Sequence, residues 1–340
     1  MKRLETLAGH FITTAFAEDT PKDVHICDRH LNIAKNSLSP DDFAHFTKQF
    51  IDYRAIPFPQ LNPIPIIVKQ SGKDITLANY RYPCKGRRKG IVYFVHGYSE
   101  YVGRYGYLAK YFSEAGYDFV GIDQRGFGYS QGIRGYIESE EIHIQDILAH
   151  IDKVDEVYGG KDVPKFIMGY SFGGLKSAKI NTIRPGYFKG LALLAPYFGF
   201  SSKNSDKVAI LAKQVAETDP TQKFPTPPIK PLPPDHVMHF ILDPITEGVQ
   251  ICANNVWELN QAPKRLTQEM IQKIQTPVIM ILGGKEQVVQ NKFAMDFFNS
   301  CPAKDKQMLY FEDQDHFIFH ETSQAKLVAE NVIEFFNKQL

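Results

Sequence analysis

From residue 66 onward the chain alternates short apolar runs with longer stretches of helical periodicity. Runs at 66–69, 74–80, 91–95, 117–122, 165–168, 191–195, 278–282 and 307–311 read as strands, and the later ones are continuously apolar, as expected of strands covered on both faces. Segments 104–115, 139–158, 172–183, 291–299 and 323–339 separate them with the spacing of amphipathic helices. The first two runs predict an antiparallel hairpin, and the whole set predicts eight strands. The fold class expected is therefore α/β: a doubly wound, eight-stranded, mostly parallel sheet with helices on both faces. Ligands bind beyond the carboxyl ends of the strands in such sheets, so chemistry is to be sought in the residues that follow each run.

Two stretches depart from this alternation. Residues 1–60 predict an N-terminal extension ending in one amphipathic helix, in which Ser39 caps, Pro40 takes the first helical position, and Asp41 and Asp42 favour the positive helix end. Phe43, Phe46, Phe50 and Tyr53 share one face of it, suited to docking on the main domain. Met1-Lys2-Arg3 and the run to Ala17 imitate a targeting leader, but Glu5, His10, Thr13 and Thr14 interrupt its apolar core, which favours an ordinary helix or arm. The second departure separates runs 191–195 and 278–282 by about eighty residues, too long for a structureless loop in a compact domain. It predicts an inserted cap at about 200–273 within a domain spanning 61–340, with short helices at 206–216 and 235–242 around the proline-dense strip 218–234.

Composition narrows the function classes. A formal charge of +1 from 39 basic and 38 acidic residues gives no electrostatic case for nucleic acid. Cys27, Cys84, Cys252 and Cys301 are scattered without a C-x-x-C pair, which fits reduced thiols and a cytoplasmic setting. No stretch approaches the ~18 to 20 apolar residues of a membrane-spanning helix.

Candidate chemistry centres on Gly169-Tyr170-Ser171-Phe172-Gly173, which follows the run 163–168 and precedes a helical segment. A sharp strand-to-helix turn flanked by glycines lifts the central serine Oγ clear of the backbone, where a base can reach it. Serine needs that base, and the base needs an orienting acid. His316, in the loop after the last run, overhangs the same sheet edge and is the expected base, with His320 as the alternative. Glu286, after the run 278–282, is the expected acid and gives the chain order serine, acid, histidine; Asp315 is too near His316 in sequence to receive its Nδ1 proton. An oxyanion would be received by the backbone amides of Phe172 and Tyr98, the latter in the turn His96-Gly97-Tyr98, where His96 is expected to stabilise the turn.

These segments resemble the monoacylglycerol lipase and lysophospholipase branch of the α/β-hydrolases, a serine aminopeptidase-type hydrolase domain. The resemblance rests on His96-Gly97-Tyr98-Ser99-Glu100 with Gly103-Arg104-Tyr105, on Asp123-Gln124-Arg125-Gly126-Phe127-Gly128-Tyr129-Ser130, on the serine turn, and on Arg184-Pro185-Gly186-Tyr187-Phe188. It spans roughly 66–336 and implies the α/β-hydrolase fold, the same five site residues and no cofactor or metal. The implied activity is hydrolysis of a carboxylic ester, a monoacylglycerol or lysophospholipid-like lipid, through an acyl-enzyme on Ser171. Tyr197, Phe198 and Phe200 are candidates to line the acyl pocket, and the cap is a candidate for peripheral contact with a lipid surface. Glutamate stands at 286 where the family more often has aspartate, and Lys176, Lys179 and Asn181 make the helix after the serine unusually polar. Two alternatives remain: an acyltransferase or peptidase using the same triad, and a non-catalytic interaction module that uses the arm and the polar helix as interfaces.

Overall fold

The computed structural model describes residues 57–159, 162–199, 205–225, 250–320 and 322–340. The expected arm helix with Phe43, Phe46, Phe50 and Tyr53, the helix at 235–242, and Phe200 lie outside the described residues.

Twelve described strands and eight α-helices alternate along the chain: β1 (Gln60–Leu61), β2 (Ile67–Gln70), β3 (Lys73–Thr76), β4 (Asn79–Tyr82), β5 (Gly90–Val95), α1 (Gly106–Glu114), β6 (Tyr117–Ile122), α2 (Glu140–Val154), β7 (Lys165–Tyr170), α3 (Phe172–Ile183), β8 (Gly190–Leu194), α4 (Ser205–Thr218), β9 (Lys223–Pro225), β10 (Gln250–Cys252), α5 (Ala253–Gln261), α6 (Gln268–Ile271), β11 (Val278–Gly283), α7 (Asn291–Ser300), β12 (Lys306–Phe311) and α8 (Thr322–Asn337). Eight strands form one sheet in the order β1-β4-β6-β5-β7-β8-β11-β12. The pairs from β6 to β12 are parallel, and β4 and β1 add an antiparallel edge.

Burial explains why the central strands read as unbroken apolar runs: β5, β6, β7, β8 and β11 are buried at every position. Alternate side chains enter two cores. Ile91, Tyr93 and Val95 meet Ile144, Ile147, Ile151 and Leu175 from α2 and α3. Val92 and Phe94 face the opposite side, with Leu108 and Phe112 from α1 and Val328, Val332 and Phe336 from α8. Helix α2 begins where Ser139 Oγ accepts from Ile142 N at 3.2 Å, followed by Glu140 and Glu141 in the positive first turn.

The strand count agrees with expectation, but its membership does not. The hairpin expected from 66–69 and 74–80 stops early: β2 and β3 pair as a separate two-stranded sheet around Ser71 and Gly72, both at positive φ. Leu77 N still donates to Ile66 O, and the chain then leaves the hairpin as Ala78 N turns to Ser130 Oγ. Asn79 Nδ2 donates to Ile64 O at 2.7 Å, and from there β4 joins β6. The chain of the proline-rich stretch supplies the two-residue strand β1.

Strand order positions the site. After β5 the chain crosses to β6 on one side and then to β7 on the other, so the carboxyl ends of β5 and β7 flank a topological switch point, where open α/β sheets bind ligands. Val95 is level with Gly169, Tyr170 with Leu194, and Gly283 with Phe311, so the loops after β5, β7, β8, β11 and β12 emerge along one edge. Between the neighbouring strands β8 and β11 the chain inserts α4, the β9–β10 ribbon, α5, a 3-10 turn and α6. Among the described residues, no helix is long and apolar enough to cross a membrane.

Candidate active site

Ser171 sits between β7 and α3 with φ +52° and ψ −120°, a backbone conformation strained for any residue with a Cβ. Three bonds hold it there: Ser171 N donates to Leu194 O, while its carbonyl accepts from Gly174 N and Tyr197 N, each at 2.9 Å. The flanking glycines answer a close approach of backbone. A Cβ at Gly173 would overlap the Val95 carbonyl, and one at Gly169 would overlap the Gly173 carbonyl and Ser177 Oγ.

Loops from three strands converge on the serine. His316 Nε2 lies 2.9 Å from Ser171 Oγ, and His316 Nδ1 lies 2.7 Å from Glu286 Oε2. The second Glu286 oxygen accepts from Val288 N at 2.7 Å and Val289 N at 3.0 Å, so two backbone amides fix the carboxylate. Tyr170 Oη donates to His316 O at 3.3 Å and steadies the histidine loop. Burial pushes the Glu286 carboxyl up, but His316 and the two amides outweigh it and hold the group below its ordinary range. A Ser–His–Glu chain of this kind can pass a proton from the hydroxyl to an oriented imidazole.

The turn after β5 lies against the serine: a Cβ at Gly97 would stand 3.2 Å from Ser171 Cβ. His96 is a strut of that turn, as expected from the sequence. Its Nε2 accepts from Gln124 N at 2.9 Å, which leaves Nδ1 to donate to Gly97 O at 2.8 Å. Burial pulls its basicity down to about 3, so the ring remains neutral at physiological pH. Gln124 Nε2 also donates to His96 O at 2.9 Å. Tyr98 is half-buried, edge-on to Phe127, and its hydroxyl accepts from Asn255 Nδ2 at 3.1 Å. His320, the alternative base, is buried among Tyr105, Tyr170 and Phe319, while His316 holds the serine contact.

Of the expected acyl-pocket residues, Tyr197 and Phe198 are described and both are buried. Tyr197 is buried edge-on to Phe172 and donates its hydroxyl to Leu259 O at 2.6 Å. Phe198 stacks on Phe297 at 4.2 Å. A cavity of ≈ 490 Å³ lined by Asp155, Asp162, Pro164, Lys165, Tyr187 and Lys189 opens at the amino-terminal end of β7, away from Ser171.

Helix α3 bears on the alternative reading that used it as an interface. Its polar residues form no outer interface, because Lys176, Lys179 and Asn181 are all buried. Lys176 Nζ donates to Gln124 Oε1, approaches His143 Nδ1 at 3.2 Å and lies 4.0 Å from the centre of the Phe172 ring. Desolvation lowers its basicity to about 7. Lys179 pairs with Glu140 at 2.5 Å. The residues missed by sequence reasoning are therefore Gln124, Lys176 and Asn255. Glu140, His143 and Asp146 recur every three residues beside the apolar face of α2 and are the signal that polar partners were needed inside.

Fold and site together define the class: an α/β-hydrolase with a serine elbow at the switch point of its sheet. The chain belongs to the serine aminopeptidase, S33 family, whose model matches residues 86–323. It is similar to the mouse monoglyceride lipase, with 25% identity over 268 residues, covering 76% of this chain and 84% of that protein. Among solved structures it shares its fold with the Paleococcus ferrophilus monoacylglycerol lipase, at a TM-score of 0.66 and 24% identity over 78% of this chain and 99% of that one. A soluble variant of the Saccharomyces cerevisiae monoglyceride lipase in complex with a substrate analog has a TM-score of 0.69 at 19% identity, covering 83% of this chain and 99% of that one.

Proposed function

We propose that this chain is a cofactor-independent serine hydrolase that cleaves the carboxylic ester of a monoacyl lipid, a monoacylglycerol or a lysophospholipid-like molecule. The observation that carries the reading is His316, which bridges Ser171 Oγ and the Glu286 carboxylate within hydrogen-bond distance on both sides. Similarity to the mouse monoglyceride lipase supports the substrate class.

In this mechanism Ser171 Oγ attacks the ester carbonyl carbon as its proton passes to His316 Nε2, and Glu286 stabilises the imidazolium that forms. The carbonyl oxygen becomes an oxyanion received by the amides of Tyr98 and Phe172. Collapse breaks the bond to the alcohol oxygen, which takes the proton from His316 and leaves glycerol or its equivalent. Water, deprotonated by His316, then attacks the acyl-enzyme; the second tetrahedral species releases the fatty acid and returns the proton to Ser171 Oγ.

The segment between β8 and β11 acts as a cap in this reading, within a hydrolase domain at 61–340 preceded by an extension at 1–60. Val208, Leu211 and Val215 form an exposed apolar stripe on α4, which supports peripheral contact with lipid. Cys84, Cys252 and Cys301 are free thiols, in keeping with a cytoplasmic setting. The family's aminopeptidase description supports a second reading, cleavage of an aminoacyl amide by the same triad.

Labelling by a fluorophosphonate and product analysis on monoacylglycerol, lysophospholipid and aminoacyl-amide substrates test these readings. Wild type is expected to label and to release fatty acid, and Ser171→Ala to do neither. Amine release from the amide alone would replace the lipid reading with the peptidase one. No labelling of folded wild type would remove both.

A further inference from the structure

Helix α5, in the inserted segment, is stitched to the chain entering α2. Asn254 Nδ2 donates to Ile137 O at 2.7 Å and to Glu138 O at 3.0 Å, and Glu258 Oε2 accepts from Glu140 N at 2.9 Å. Between them Asn255, fully buried, reaches further. Its Oδ1 accepts from Ile137 N at 2.7 Å, and because a backbone N–H only donates, this bond fixes which end of the amide is oxygen. Nδ2 must then donate in the other direction, to Gly135 O at 2.6 Å and to the Tyr98 hydroxyl at 3.1 Å.

That last bond leaves the stitching and enters the reaction centre. Tyr98 follows Gly97, which lies against Ser171 Cβ, and the same turn is held from beneath by His96 and Gln124. The turn is thus braced at its root by the end of β6 and at its tip by α5. An oxyanion donor is effective only when aimed in advance at the position the oxygen will occupy, so a brace on the donor's own residue acts on the transition state more than on the bound substrate.

We propose that Asn255 is a positioning residue for the reaction, holding the Tyr98 hydroxyl so that the adjoining amide stays aimed at the oxyanion. The inference rests on the oxyanion role proposed above for Tyr98. It makes the seating of the inserted segment a determinant of turnover, transmitted through the Asn255–Tyr98 bond.

Tyr98→Phe is the discriminating variant, since it keeps the ring against Phe127 and leaves the bonds of Asn255 to Gly135 and Ile137 in place. Asn255→Ala removes all three bonds, so its thermal melt is recorded alongside. Steady-state hydrolysis of a short-chain p-nitrophenyl ester is measured for wild type, both single variants and the double variant, with the rate of phosphonylation by a fluorophosphonate. Tyr98→Phe is expected to lower kcat by about threefold to tenfold. KM should stay within about twofold and phosphonylation should fall in parallel with kcat. Adding Tyr98→Phe to Asn255→Ala should cost clearly less than Tyr98→Phe alone, because both remove the Asn255–Tyr98 bond. An active wild type with unchanged kcat in Tyr98→Phe, or losses that multiply in the double variant, overturns the inference alone. A wild type inert toward both ester and probe overturns the proposed function with it.

Discussion

Replacing Glu286 by glutamine tests the proposed mechanism through hydrogen-bond direction alone. The shape of the side chain is preserved, but one end now only donates. Glu286 Oε1 accepts from two backbone amides, Val288 N and Val289 N, while Oε2 faces His316 Nδ1. Glutamine can satisfy both amides only by turning its carbonyl oxygen to them, which points its NH2 group at Nδ1. The imidazole must then accept at Nδ1 and carry its proton on Nε2, where it faces Ser171 Oγ as a donor and can take no proton from it. The opposite orientation restores the productive tautomer but sets an NH2 group against two N–H donors in a site where the Glu286 side chain is 2% exposed.

Leaving two buried amides without acceptors costs about 1–3 kcal/mol each. The productive tautomer is therefore depleted by between about thirtyfold and twenty-thousandfold. Loss of the carboxylate charge beside the imidazolium adds to this, and removal of the orienting charge in serine triads costs about ten-thousandfold in kcat, or ~5.4 kcal/mol. The expected result for Glu286→Gln is thus a kcat at least about a thousandfold below wild type, with KM within about twofold because the side chain does not touch substrate. Hydrolysis of a p-nitrophenyl ester by protein checked for a native melt measures both. Glu286→Asp, which keeps the charge and falls one methylene short, should be the milder variant. A Glu286→Gln enzyme retaining more than about a tenth of wild-type kcat would refute the reasoning.

Two further consequences concern the buried charges of α3. The Lys176 ammonium is desolvated to a basicity near 7, against an ordinary value of 10.5, so between these values the unfolded chain binds the extra proton and stability from this group rises with pH. In denaturant titrations from about pH 7 to 10, wild type should therefore gain stability relative to Lys176→Met, and a gap that stays constant across the window would contradict this. Lys179→Met leaves Glu140 buried with Arg265 at 3.5 Å and should cost about 3–5 kcal/mol, most of it recovered when Glu140→Leu is added. Equal melts for Lys179→Met and wild type would show that the pair is not buried as described.

How much of this was legible in the sequence depended on whether a residue's role follows from its strand. Ser171 and Glu286 follow the ends of buried apolar strands and His316 follows the half-exposed edge strand β12, and parallel strands bring such ends to one edge whatever the loops do. Their mutual contact needed no further information. The split of the first hairpin was not legible, because it turns on side-chain bonds from Asn79 and Ser130 that local periodicity does not encode. The partners of Tyr197 and Phe198, which follow β8, were not legible either, because the Leu259 carbonyl and Phe297 lie far along the chain. Lys176 and Lys179 misled most, because periodicity assigns charge to solvent unless a buried partner is known, and those partners, Gln124, His143 and Glu140, sit in the loop after β6 and on α2.

The bonds that α5 makes also determine which part of the inserted segment is free to move. Asn254, Asn255 and Glu258 all bond to backbone between 135 and 140, and Arg265 adds ion pairs to Glu141 at 2.5 Å and to Glu258 at 2.7 Å. Displacing α5 as a rigid body would break several of these together and leave buried amides without acceptors, a cost that rises with each bond. Helix α4 is held differently. Among the described residues it buries only small side chains, Ala209, Ala212 and Ala216, while Asp206 accepts from the buried Asn260 of α5 and from the exposed Lys264 in the 3-10 turn beyond it. Alanine buries little apolar area, so movement of α4 sacrifices far less than movement of α5. While α5 keeps these bonds, Asn255 and Tyr98 stay in register with the turn that lies against Ser171.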